Sequence, residues 1–99
     1  MNRYELLYII KSNLTDEAKD QVIAKVNDFI VKMGGNVEST ENLGNKKLAY
    51  EINKTREGTY VLTYFNAEPN KITDLDRMMR IDETIIRQMI VTKKIINKE

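Results

Sequence analysis

The chain has no cysteine and no histidine, and it has one proline and four glycines. Without cysteine there is no disulfide, no thiolate ligand and no sulfur nucleophile; this is compatible with a reducing cytosol. Without histidine the chain lacks the commonest metal ligand and the one side chain whose unperturbed pKa lies near neutrality. Most zinc and acid–base mechanisms lose their usual groups, and no cofactor or metal site is expected. No apolar run approaches the roughly 20 residues of a membrane span. The apolar start after Arg3 is interrupted by Glu5 and has no small-residue cleavage site, so it reads as a strand and not as a secretion signal. Excess charge of one sign is missing too: 16 Lys+Arg stand against 15 Asp+Glu, a net charge of +1. Bulk polycation binding to nucleic acid is thereby excluded, and any RNA contact has to come from local clusters.

What is present suits one small globular domain over residues 1–99, with 41% hydrophobic and 31% charged residues. A chain of this length buries only about 60–65% of its unfolded surface, enough for a single core. Residues 3–10 mix Tyr, Leu and Ile and predict a central strand apolar on both faces. Asn13 or Thr15 can cap a helix whose first turn holds Asp16 and Glu17, favourable at the positive end of the dipole. Ala18, Val22, Val26, Phe29, Ile30 and Met33 form its apolar stripe, and Gly34-Gly35 ends it. Val37, Ser39, Glu41 and Leu43 alternate in phase, and alternation resumes after Gly44-Asn45 through Leu48, Tyr50 and Ile52, predicting one long, bent second strand. Residues 53–58 read as a polar turn and 59–66 as a third strand closing a hairpin. Pro69 fits the first turn of a second helix that turns Ile72, Leu75, Met78 and Met79 inward and stops near Arg80. A fourth strand follows over 84–92, with a short frayed tail expected from about 93.

Strand, helix, strand, strand, helix, strand is the split βαβ order. It predicts an α+β, ferredoxin-like fold: an antiparallel four-stranded sheet with two helices on one face. Strands one and three carry apolar side chains on both sides, so the face without helices is expected to stay partly apolar, as interaction surfaces tend to be.

The most specific local signal is Gly44-Asn45-Lys46-Lys47-Leu48-Ala49-Tyr50-Glu51-Ile52. Physically it is a basic corner on a strand: a glycine bend, two lysines suited to phosphate, and a Tyr50 ring able to stack on a base or ribose. The same residues would equally serve as solvated edge decoration with Tyr50 in the core. This segment resembles the signature of the bacterial small-subunit ribosomal protein six family, which pairs Gly and a basic residue with Leu-Ala-Tyr-x-Ile. Arg3-Tyr4-Glu5 resembles that family's opening, and Arg80-Ile81-Asp82-Glu83 followed by Arg87 resembles its passage into the last strand. The resemblance covers about the whole chain. It implies a non-catalytic component of the small ribosomal subunit, in the cytoplasm, that binds the central domain of 16S ribosomal RNA together with ribosomal protein eighteen. On the matching positions, Arg3, Lys46, Lys47, Tyr50, Arg80 and Arg87 become the RNA-contact candidates. Lys54, Lys93 and Lys94 join them because a turn or tail lets a flexible cation reach phosphate. Arg80 could instead satisfy carbonyls at a helix end, and Arg87 could pair with a Glu on a neighbouring strand. Some members of the family carry an acidic C-terminal extension that can be modified with further Glu; with a single acidic residue after Glu83, that modification is not expected here.

Other functions fit this fold less well. An RNA-recognition motif would stack bases on Tyr60 and Tyr64, but Thr59 follows Gly58 where an aromatic is expected. An acylphosphatase-like hydrolase needs an anion loop with an Arg after the first strand, where this chain reads Lys11-Ser12-Asn13-Leu14-Thr15. Asp82 and Glu83 are adjacent and on extended chain point apart, which suits no shared-proton pair. A ligand-sensing dimer would use the apolar open face but lacks a recognisable small-molecule loop.

Overall fold

A computed structural model describes residues 1–52 and 55–93. In chain order the elements are β1 (Asn2–Lys11), α1 (Asp16–Lys32), β2 (Asn36–Ile52), β3 (Thr55–Ala67), a 3₁₀ turn (Pro69–Lys71), α2 (Ile72–Ile81) and β4 (Ile85–Thr92). The four strands form one sheet in the order β2-β3-β1-β4, every neighbouring pair antiparallel. This is the expected ferredoxin-like α+β fold.

Period-two alternation along β1 and β3 divides the sheet into two faces. Tyr4, Leu6, Tyr8 and Ile10 of β1 and Val61, Phe65 and Ala67 of β3 point to the helices and are buried with Val22, Val26 and Ile30 of α1 and Leu75 and Met79 of α2. Phe65 stacks on Tyr4 with ring centroids 5.4 Å apart. Thr15 caps α1, its Oγ1 accepting from the Ala18 N–H at 3.1 Å. The helix closes through Gly34 N–H to Val31 O at 3.0 Å and Gly35 N–H to Ile30 O at 2.9 Å.

Two expectations about the hairpin need correction. The alternation of β2 does not keep one phase, because register shifts fall between Val37 and Ser39 and again between Asn42 and Gly44. A bulge places one extra residue against the partner strand and flips the faces beyond it. Val37 therefore packs on the core opposite Phe65, while Ser39 and Glu41 lie opposite Tyr64 and Leu62 on the other face. At the second bulge Gly44 takes φ +91°, a backbone conformation that favours glycine, and Asn42 Oδ1 accepts from its N–H at 2.8 Å. The third strand also begins earlier than expected. Thr55 pairs with Ile52, so β3 starts four residues early and Gly58 lies within the strand, between Lys46 and Lys11.

The passage from α2 into β4 is held by Asp82, whose carboxylate accepts from the Thr84 N–H at 2.9 Å, from Thr84 Oγ1 at 2.6 Å and from Lys25 Nζ at 2.9 Å. Partial burial pushes this carboxyl up, but the Thr84 and Lys25 contacts outweigh that and hold it below its ordinary value. A carboxylate with a lowered folded-state pKa stabilises the fold above its unfolded pKa, and that stabilisation fades as pH falls through the folded-state pKa. Asp82→Ala is therefore expected to cost about 1–3 kcal/mol near neutral pH, the range for removing the acceptor of part-buried and charge-assisted hydrogen bonds. Urea unfolding should show the gap from wild type narrowing at acid pH; a gap that stays constant down to pH ~2 would refute this role.

Candidate nucleic-acid interface

The sheet face away from the helices is organised in rows running across the strands. Register places Ser39, Tyr64, Glu5 and Val91 in one row, Glu41, Leu62, Leu7 and Met89 in the next, and Gly44, Tyr60, Ile9 and Arg87 in the third. The middle of the face is apolar: Leu7 and Leu62 are half-buried, Ile9 is buried, and Met89 and Val91 are 52% and 43% exposed. Apart from Glu41 on the edge strand β2, charged side chains sit at its two ends, and the ends differ.

At the end marked by Arg3, cations are matched by carboxylates. Arg3 Nε donates to Glu38 Oε1 at 3.0 Å, and its guanidinium lies 5.0 Å from the centroid of the Tyr64 ring. Glu38 also accepts from Asn66 Nδ2 at 2.7 Å. The Asn66 amide foremost, and then Arg3, hold the Glu38 carboxyl below its ordinary value, against a smaller opposing effect of desolvation. The bulge at Glu38 aims this carboxylate at Arg3. Lys93 donates its N–H to Arg3 O at 2.7 Å, and its ammonium lies 3.1 Å from Glu5 Oε1. Arg3 and Lys93 thus have internal counter-ions.

The opposite end carries Lys46, Arg87 and Tyr50. Lys46 Nζ lies 6.0 Å from the centroid of the Tyr60 ring. Arg87 donates from a guanidinium nitrogen to the Tyr50 hydroxyl at 2.6 Å, joining residues 37 positions apart in the chain. Tyr50 is 61% exposed, so it is not part of the core. Its ring, fixed at the hydroxyl by Arg87, offers a face for stacking. Arg87 finds this hydroxyl and not a neighbouring glutamate. Lys47 is exposed and alternates with Lys46, pairing in register with Glu57 where Lys46 pairs with Gly58. Adjacent strand residues point to opposite faces, so only Lys46 of the two shares the open face.

Arg80 lies apart, at the end of α2, where it pairs with Asp76 one turn earlier and not with terminal carbonyls. Asp74 and Arg77 form the expected solvated helix pair at 3.7 Å. Lys54 and Lys94 lie outside the described residues. The structure therefore joins Tyr50 to Arg87, places Lys46 at the same end of the open face over Tyr60 with Lys47 on the reverse of the same hairpin, and gives Arg3, Arg80 and Lys93 carboxylate partners.

Sequence reasoning passed over Lys11. It is the last residue of β1, in phase with Leu7 and Ile9, exposed, and opposite Gly58. The available signal was strand parity: an odd-numbered position that continues the open-face set. Among the described residues there is no group of acidic side chains arranged to hold a metal, and no helix is long and apolar enough to cross a membrane.

Comparison with known proteins places this geometry in a family. The family model described as "Ribosomal protein S6" matches residues 3–92. The chain is 47% identical over 89 residues to the small ribosomal subunit protein bS6 of an Exiguobacterium species, covering 90% of this chain and 94% of the relative. It is 43% identical over 91 residues to the protein of the same name from Alkaliphilus oremlandii, covering 92% and 96%. Its fold superposes on a crystal structure of 30S ribosomal protein S6 from Thermotoga maritima with a TM-score of 0.89 at 29% identity, covering 93% of this chain and 87% of the other.

Proposed function

The chain belongs to the ribosomal protein S6 family, a structural and non-catalytic component of the small ribosomal subunit, and from that premise we propose that it binds the central domain of 16S ribosomal RNA jointly with ribosomal protein eighteen. The observation that carries the RNA contact is the hydrogen bond of 2.6 Å by which Arg87 holds the exposed Tyr50 ring at one end of the open face, the end where Lys46 lies over the Tyr60 ring. Lysine supplies a point charge to phosphate, arginine a fork of donors, and the ring a stacking plane. Lys47 supplements them from the reverse of the strand. Arg3, Arg80 and Lys93 would first have to exchange a carboxylate for a phosphate, so their contributions are smaller. The apolar row of Leu7, Leu62 and Met89 supports a protein partner, since RNA offers little to bury against it.

With a net charge of only +1 the isolated chain has little long-range attraction for RNA. Binding to a central-domain transcript is therefore expected to be weak alone and at least ~10-fold tighter with ribosomal protein eighteen present, a coupling of about 1.4 kcal/mol. Replacing Lys46 and Lys47 by Ala should lower the slope of log affinity against log salt by up to about 1.8, near 0.9 per lost phosphate contact. Equal affinity with and without the partner would reject joint binding, and an unchanged slope would remove the lysine pair from the footprint.

A further inference from the structure

Resting on the RNA-binding reading, we infer that Lys11 is a phosphate-binding residue that extends the contact across the sheet, so that Lys46, Lys11 and Arg87 form one cationic arc spanning β2, β1 and β4. The register makes the case. Lys46 pairs with Gly58, and Gly58 pairs with Lys11 on its other side, so the two lysines flank a residue with no side chain of its own. Neighbouring strands lie about 4.8 Å apart, which puts the two lysine backbones roughly 10 Å from each other. Side chains of this length can converge from there on successive phosphates. The floor between them is filled: a Cβ built on Gly58 would collide with Ile9 Cγ2 and come within 3.4 Å of Ile86 Cδ1. Ile9 leans over the glycine, so what separates the lysines is a low apolar saddle and not a side chain that would hold RNA away.

Arg87 stands one row along, opposite Ile9. Lys11, Lys46 and Arg87 make no ion pair among the described residues, whereas Arg3 and Lys93 at the far end of the same face are paired with Glu38 and Glu5. An uncompensated cation keeps its full attraction for phosphate, while one already paired gains only the difference. The face is thus polarised along its strands. The hairpin end takes the polyanion, and the Arg3 end is closed to it by its own carboxylates.

The test is the salt dependence of binding to a central-domain 16S transcript with ribosomal protein eighteen present. Lys11→Ala should lower the slope of log affinity against log salt by ~0.7–0.9, while Lys11→Arg keeps it and Lys32→Ala leaves it unchanged. Lys32 is exposed on α1 and pairs with Asp28 at 3.0 Å, away from the open face. Should Lys11→Ala keep the wild-type slope while Lys46→Ala lowers it, Lys11 is not a contact and the RNA reading survives. Failure of the wild-type protein to bind the transcript would overturn both.

Discussion

Phe65→Ala is expected to remove about 3–5 kcal/mol of folding stability, the range for emptying a large aromatic site in a packed core. Phe65 is fully buried on β3, paired in register with Tyr4 on one side and Val37 on the other, and its ring stacks on Tyr4 at an interplanar angle of 24°. The strands on either side are locked into the sheet, so the cavity cannot close by a backbone shift. A domain of this size has a total stability of about 5–15 kcal/mol, so the variant should unfold at much lower urea, with the slope of the transition unchanged. Tyr64→Ala, one residue away on the open face, is the comparison. Its ring is half-buried and lies beside Arg3, so its loss should cost clearly less. Similar costs for the two would mean that the sheet is not divided into a core face and an open face.

That division was legible in the sequence because both layers carry strong periodic signals. The α1 stripe and the Tyr4, Leu6, Tyr8, Ile10 set each repeat at the spacing of their element, and burial follows that spacing. Apolar residues on both sides of β1 and β3 foretold a face that two helices could not cover. The hairpin was harder. A bulge leaves almost no trace in composition, so the phase flip at Glu38 could not be read from the alternation of Val37, Ser39 and Glu41. Gly58 looked like the end of a turn, although its role is to admit Ile9 across the strand.

Among the site residues, residue type announced charge but not pairing. Arg3 and Glu38 are 35 positions apart, and Arg87 and Tyr50 meet only because β2 extends along the same sheet end as β4. A sequence lists cations; the sheet register decides which of them have carboxylates to neutralise them. Lys11 shows the converse, a cation that carried no motif and gained its place from strand parity.

The second large effect concerns the apolar row. Met89→Glu is expected to weaken pairing with ribosomal protein eighteen by about 100-fold, or roughly 2.7 kcal/mol, as an unpaired charge placed in a desolvated interface does. Met89 is 52% exposed and sits opposite Leu7, so in the free domain the new carboxylate points into water and stability should change by no more than about 0.5 kcal/mol. Met89→Leu, of similar volume, should keep partner affinity within a few-fold. The contrast with Lys11 and Lys46 is diagnostic. Those variants should change the salt dependence of RNA binding without altering protein pairing, whereas Met89→Glu should abolish the partner's enhancement of RNA affinity and leave the weak binding of the chain alone intact. If Met89→Glu pairs normally, the partner does not use the middle of the open face. If it instead weakens RNA binding by the chain alone, the middle of the face belongs to RNA, and the separation of apolar centre from cationic end fails.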